Sequence, residues 1–250
     1  MLKGWLAQGF GPVIAVEPKP PAPLRKAKGV RFVSAIEEIP SGPLRACVVA
    51  LKPQILRHEA ARLRSIAQHG APMISIAAGT SIATMTKAWG RGARILRAMP
   101  NTPGAIGRGI TALYASSRAT ASDRKLAEAL LAPLGETVWV KTEALIDVTT
   151  AVSGSGPAYV FLMVEALAEA AMAEGMPRKE AQRLARATVI GAGALLDADP
   201  RPAEQLRHDV TSPGGTTEAA LKVLLAKDGL KPLMAHAVSA ARKRAAELAS

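Results

Sequence analysis

The chain is poor in the residues on which many functions depend. One of its 250 residues is cysteine, Cys47, which excludes an intrachain disulfide framework and any multi-cysteine zinc site. Aromatic residues make up 3%, too few for the stacking platforms that hold single-stranded nucleic acid. The four histidines, His58, His69, His208 and His236, fall at no metal-ligand spacing, so no metal site is expected. No uninterrupted apolar run approaches the ~20 residues of a membrane-spanning helix. The start, Met1-Leu-Lys-Gly-Trp-Leu6, lacks a secretory-signal layout. There is no Gly-x-Ser-x-Gly elbow on a strand-to-helix turn and no Walker lysine motif. These absences predict a cytoplasmic protein with no membrane partner.

Acidic residues are also outnumbered, 20 against 32 basic ones, for a formal net charge of +12. The basic residues are spread in short groups, such as Arg25/Lys26/Lys28, Arg91/Arg94/Arg97 and Arg242/Lys243/Arg244. That distribution reads as a solvated surface, and no nucleic-acid partner is expected. What the chain does have is a globular composition, 49% hydrophobic and 21% charged.

Two halves read differently. In the first, short apolar runs alternate with helical patterns. Val13–Val16 and Ala46–Leu51 are apolar runs of strand length, Met73–Ile76 and Ala93–Leu96 are two more, apolar but for Ser75 and Arg94, and Thr137–Val140 is a fifth strand-like segment. Continuous apolar strands suit a parallel sheet covered on both faces. Between them lie helical patterns over 54–68, 80–89 and 123–134, the last with Ser122 as N-cap. The alternation predicts an α/β, doubly wound domain over 1–144. From 145 to 250 the pattern is helical, with Ala- and Leu-rich runs over 157–174, 178–198, 213–226 and 230–248. Prolines near the segment starts and Gly175 at one end mark helix boundaries. The length of the apolar faces predicts burial against a second subunit.

In such a sheet, ligands lie beyond the carboxyl ends of the strands. Those ends are Glu17-Pro18, Leu51-Lys52-Pro53, Ala77-Ala78-Gly79 and Met99-Pro-Asn-Thr-Pro103. Each has small residues that let a flat ligand approach the backbone, though any α/β turn can look like this. In the helical half, Thr211-Ser-Pro-Gly-Gly-Thr-Thr217 is the densest polar cluster. Free amides at a helix start, beside glycines and hydroxyls, suit a carboxylate. An ordinary N-cap and turn would look similar. The glycines of Ser153-Gly-Ser-Gly-Pro157 read as close packing, and Cys47 as a small apolar strand residue.

Taken in order, five blocks resemble the pyrroline-5-carboxylate reductase family across nearly the whole chain. They are Val48-Val-Ala-Leu-Lys-Pro-Gln54, Ile74-Ser-Ile-Ala-Ala-Gly79, Arg97-Ala-Met-Pro-Asn-Thr-Pro103, Val152–Phe161 and Asp209–Thr217. The resemblance implies a Rossmann-like, parallel-sheet domain followed by an all-helical dimerisation domain. It implies NADPH- or NADH-dependent reduction of 1-pyrroline-5-carboxylate to L-proline, in proline biosynthesis. By the same resemblance Thr217 is the catalytic residue, holding the ring nitrogen. Ser212 and the backbone of Gly214, Gly215 and Thr216 hold the substrate carboxylate, with Glu143 an acidic residue near the substrate. Leu51, Lys52, Pro53, Ala78 and Asn101 line the nicotinamide side, and Glu17 and Pro18 lie beside the adenosine ribose. A carboxylate at that ribose favours NADH, whereas Lys19 and Arg25 could reverse the preference, so both cofactors stay open. The implied assembly is a homodimer or a higher homo-oligomer such as a decamer.

One family element has no counterpart: a first strand followed by Gly-x-Gly-x-x-Gly, whose loop cradles the cofactor diphosphate. Gly9-Phe-Gly11 precedes a strand and opens no helix pattern, while Met1–Leu6 resembles the last turns of the family's first helix. The expectation is that about 20 N-terminal residues, the length of a strand and a helix start, lie upstream of Met1. Two strands would then carry unpaired edges. The alternative is a truncated, weakly active or inactive paralogue that keeps the helical dimerisation domain. A β-hydroxyacid dehydrogenase is disfavoured, because the Ser-Gly-Ser-Gly-Pro entry offers no acid/base lysine.

Overall fold

A computed structural model describes residues 1–40 and 42–249, with main chain only at Ala249. The chain divides into two compact units, Met1–Gly154 with Arg242–Ser250, and Ser155–Ala241. The first unit thus runs ten residues beyond the change of pattern at 144 and takes in part of the last helix from Arg242.

The first unit opens with helix α1 (Leu2–Ala7) and the parallel strands β1 (Val13–Val16) and β2 (Val30–Val33). β3 (Cys47–Val49) then leads to α2 (Pro53–Glu59), a 3-10 turn over Ala60–Leu63 and α3 (Arg64–Gln68). The helix expected over 54–68 is therefore tightened in its middle. β4 (Met73–Ser75), α4 (Ile82–Trp89), β5 (Ile95–Met99) and β6 (Gly109–Ala115) follow. α5 (Ala121–Leu131), β7 (Gly135–Trp139), α6 (Ala144–Thr149) and a π-helical turn over Thr150–Gly154 complete the unit's N-terminal part.

The strands form two sheets, β1-β2 and β3-β4-β5-β6-β7. β1 and β3 each pair on one side only, and no strand joins them among the described residues. Pairing is parallel except between β5 and β6, so the expected parallel sheet carries one antiparallel step. β2 and β6 have no counterpart among the strands expected from sequence. The strand at 93–96 lies two residues further on, at Ile95–Met99.

The apolar runs are buried on both faces, as parallel strands require. Met73 and Ile95 point into one core with Leu56, Leu63, Met85 and Trp89. Their neighbours Ile74 and Leu96 point into the other, with Leu113, Leu131 and Leu134. This is the two-residue strand period at work. Trp89 is fully enclosed, and its indole N–H is satisfied by the Ala60 carbonyl at 2.9 Å. α5 is capped by Thr120 and not by Ser122. Thr120 Oγ1 accepts from the Asp123 amide at 3.1 Å, and Asp123 Oδ2 accepts from the Thr120 amide at 2.8 Å. Ser122 falls inside the first turn, where its hydroxyl cannot complete that reciprocal pair.

The second unit contains α7 (Gly156–Ala173), α8 (Arg178–Ala198), α9 (Ala203–Asp209), α10 (Thr216–Leu224) and most of α11 (Leu230–Ala249). Gly175, at φ +90°, makes the left-handed turn between α7 and α8. Few side chains are buried here, chiefly Ala168, Ala181 and Ala185. Phe161, Leu162, Ile190 and Leu233 are each more than 60% exposed. The helical run Ala144–Ala173 contains an 18-residue window of mean hydropathy 1.3. By length and composition alone that window is long and apolar enough to cross a membrane. Isolated charges such as Glu165 and Glu169 break its apolar runs without lowering the average enough.

Candidate active site

Four of the turns singled out in the sequence are strand ends in the structure. β3, β4 and β5 are parallel neighbours, so Leu51-Lys52-Pro53, Ala77-Ala78-Gly79 and Pro100-Asn101 emerge from the same edge of one sheet. Pro53 is the first residue of α2, where its missing N–H costs nothing. Gly79 adopts φ +63°, and a Cβ there would stand 3.1 Å from the Leu248 carbonyl oxygen. Only glycine combines that turn with that approach. The turn delivers Ser81, whose Oγ accepts from the Thr84 amide at 3.1 Å and caps α4.

Asn101 Oδ1 accepts from the Ile110 amide at 3.0 Å. Its amide nitrogen has no protein partner among the described residues and remains a donor at the sheet edge. Lys52 is exposed, while Leu51, Pro53 and Ala78 are half-buried, so the edge is an apolar ledge with one amide donor. This donor set fits a nicotinamide carboxamide and ring. Glu17 and Pro18 follow β1 in the smaller sheet. Glu17 Oε1 accepts from the Lys19 amide at 2.9 Å, and Arg25 Nε donates to the Pro20 carbonyl at 3.0 Å. A strand–glycine loop–helix unit that would cradle a diphosphate does not occur among the described residues.

Ser212–Thr217 lies in the second unit, at the head of α10. Gly215 is the N-cap, and no side chain caps the helix. Gly214 is at φ +71°. Its amide donates to Glu218 Oε2 at 2.6 Å, and the Gly215 amide donates to the Ser212 carbonyl at 3.0 Å. Two of the amides expected to hold a carboxylate are thus satisfied internally, the first by a carboxylate of the chain itself. The hydroxyl of Thr217 has no partner among the described residues. A cavity of about 430 Å³ borders the loop, lined by Arg207, His208, Thr211, Ser212, Glu218 and Lys222 among others. Lys222 Nζ stands 3.6 Å from Glu218 Oε1.

Glu143 lies in the first unit and is engaged with protein. Its Oε1 accepts from Arg97 Nη1 and from the Ile82 amide, both at 2.7 Å. Asp147 Oδ1 stands 3.8 Å from Arg97 Nη2. Arg97 is 4% exposed in the central strand β5. Its part in the site is missed by motif reading, yet a signal exists. Arg97 interrupts an otherwise apolar strand, and Glu143 and Asp147 sit four residues apart, on one helix face. Cys47 is, as expected, a strand residue, and burial pushes its thiol up to about 12.

Comparison with known proteins agrees with these elements. Residues 143–248 match the model of the pyrroline-5-carboxylate reductase dimerisation domain. A pyrroline-5-carboxylate reductase of Pseudomonas aeruginosa is 37% identical over 254 residues, covering 100% of this chain and 92% of the relative. The structure of a pyrroline-5-carboxylate reductase from Coxiella burnetii superposes with a TM-score of 0.90 at 35% identity, covering 100% of this chain and 93% of that one. That of the Plasmodium falciparum pyrroline carboxylate reductase with NADP bound gives 0.79 at 26% identity, covering 95% and 87%.

Proposed function

The chain belongs to the pyrroline-5-carboxylate reductase family, and on that premise we propose that it reduces 1-pyrroline-5-carboxylate to L-proline with NADH or NADPH. A bound dinucleotide would supply the hydride, which adds to the imine carbon while the ring nitrogen takes a proton and the C=N bond becomes C–N. The chain's task is to bind and orient, so neither a nucleophile nor a metal is required.

The observation that carries the reading is the intact Thr211–Thr217 loop at the head of α10, where the Thr217 hydroxyl has no partner among the described residues. Thr217 holds the ring nitrogen. Ser212 and the amides of Gly214, Gly215 and Thr216 take the carboxylate, at the positive end of the α10 dipole. For Gly214 the substrate replaces the chain's own carboxylate, because Glu218 now occupies that donor. On the cofactor side, Leu51, Lys52, Pro53 and Ala78 form the ledge for the ring, and Asn101 donates to the carboxamide. Glu17 and Pro18 face the adenosine ribose. These residues fit the two ends of the dinucleotide, and none described here fits its diphosphate.

The chain assembles with copies of itself. A homodimer is the smallest assembly that covers the exposed apolar residues of α7 and α8, and a decamer would be built from such dimers. Covering α7 in this way also suits a cytoplasmic protein. The test is direct. The purified chain is mixed with the imine and either dinucleotide, and proline is measured against loss of reduced nicotinamide. Stoichiometric proline supports the proposal, and no turnover with either dinucleotide refutes it. Light scattering separates dimer from decamer.

A further inference from the structure

Gly79 is shaped to the chain's own C-terminal segment. At φ +63° it turns the chain after β4, and a Cβ there would stand 3.1 Å from the Leu248 carbonyl oxygen and 3.2 Å from the Leu248 Cβ. Small residues at a strand end are expected to admit a flat ligand. At Gly79 that space is filled by Leu248, so the end of α11 packs directly on the turn that carries Ala78.

Two further observations tie this segment to the first unit. Arg57 Nη2 donates to the Leu248 carbonyl at 2.9 Å. The last four carbonyls of a helix have no partner within it, and a cation there also meets the negative end of the helix dipole. Arg57 is thus a cap for α11 supplied by α2, one turn after Pro53. Ala245 lies on the same helix face as Leu248 and is 7% exposed. From Arg242 onward the helix groups with the first unit, apart from its earlier residues. The end of α11 therefore joins two cofactor turns. It packs on Gly79, and Arg57 ties it to the helix that follows Leu51-Lys52-Pro53.

We propose that the end of α11 is a strap on the cofactor ledge, with Arg57 and Leu248 as its positioning residues. Docked, it sets the spacing between the Leu51–Pro53 and Ala77–Gly79 turns, and so the fit of the nicotinamide ring. This rests on the reductase reading above. Docking and dinucleotide binding use the same turns, so each strengthens the other by the same factor.

The experiment measures dinucleotide Kd by nicotinamide fluorescence, and release of the C-terminal peptides by trypsin, which cuts at the exposed Arg242, Lys243 and Arg244. Arg57→Met raises the Kd about three- to tenfold, because small displacements of positioning groups are costly. Arg57→Lys keeps a charged donor to a single carbonyl and stays within about twofold of the unaltered chain. Ala245→Gln crowds the buried face without changing charge and reproduces the rise. Saturating dinucleotide slows release from the unaltered chain about threefold or more, because cleavage tracks the undocked population. Arg57→Met speeds release even without dinucleotide. An unchanged Kd in Arg57→Met overturns the proposal, and so does release that dinucleotide does not slow. A rise in Arg57→Met that Ala245→Gln fails to reproduce also overturns it, by making Arg57 a direct cation for the dinucleotide. Failure of the unaltered chain to bind either dinucleotide overturns the reductase reading itself, and the strap's role with it.

Discussion

Replacing Thr217 by Ala separates catalysis from folding more cleanly than any other single change in this chain. Thr217 is the second residue of α10, its hydroxyl caps nothing, and no protein group accepts or donates to it among the described residues. Alanine is also a better helix former. The stability cost should therefore stay within about 0.5 kcal/mol, the usual range for a surface change that breaks no named interaction. The catalytic cost is set by one hydrogen bond to a ring nitrogen that gains a proton in the reaction. Hydrogen bonds involving charged groups contribute about 1.5–3 kcal/mol, which corresponds to roughly 10- to 150-fold in kcat/KM. Steady-state kinetics with saturating dinucleotide, beside a thermal melt, measure both quantities. Thr217→Ser keeps the hydroxyl and should retain activity to within about threefold, whereas Thr217→Val should behave as the alanine variant does. Two results would refute the reasoning: kcat/KM for Thr217→Ala within about threefold of the unaltered chain, or a melting temperature lowered by several degrees.

Glu218→Gln removes a negative charge that now occupies the Gly214 amide. The KM for the anionic imine should fall about two- to fivefold, as expected when like-charge repulsion near an anion site is relieved, and an unchanged or raised KM would contradict this. Gly135, at φ +124°, starts β7 so close to β6 that a Cβ would lie 2.7 Å from the Gly109 nitrogen and closer still to its carbonyl oxygen. Gly135→Ala should cost about 3 kcal/mol or more in denaturant unfolding, because backbone on both sides must move. Cys47, with its thiol pushed up to about 12 by burial, is neutral in the folded state. Its contribution to stability is complete below pH ~9 and is lost as pH rises from ~9 towards ~12, since the unfolded chain ionises first. A thiol reagent at pH ~8 should label this half-buried thiol more slowly in the folded chain than after unfolding, and equal rates would contradict the raised pKa. Leu162→Arg places a charge on an apolar side chain that is 62% exposed in the single chain. It should shift the assembly to smaller species in light scattering by weakening the covered face.

The sheet was legible in sequence wherever a strand is apolar on both faces. Val13–Val16, Ala46–Leu51 and Met73–Ile76 each contain a strand, because apolar runs of four to six residues, broken at most by the small Ser75, have few other places to go. β2 and β6 escaped for different reasons. Val30-Arg-Phe-Val33 is interrupted by an exposed arginine. Gly109–Ala115 mixes Gly, Thr and Tyr with its apolar residues, and only its place between β5 and β7 makes it a strand. The antiparallel step at β5–β6 follows from the short connection over Thr102–Ile106, which has no crossover helix. Motif reading singled out these loops because their glycines and prolines are backbone requirements. It could not find which amides are already satisfied, since Glu218 and Gly214 meet only when α10 forms.

The domain boundary shows why composition and charge satisfaction can divide a chain differently. The composition changes near 145, where Ala- and Leu-rich helices begin, and the matched dimerisation domain starts at 143. Yet Ala144–Gly154 belongs to the sheet unit. The reason lies 46 residues upstream of Glu143. A buried arginine in a central strand requires carboxylates, and α6 brings two on one face, Glu143 and Asp147. Replacing Arg97 with Met should therefore be tolerated better than replacing Glu143 with Ala, because it removes the buried cation rather than stranding it. Denaturant melts of the two variants test this order. If Arg97→Met proves the more destabilising, the cluster is held by the arginine's packing, and charge does not account for where the first unit ends.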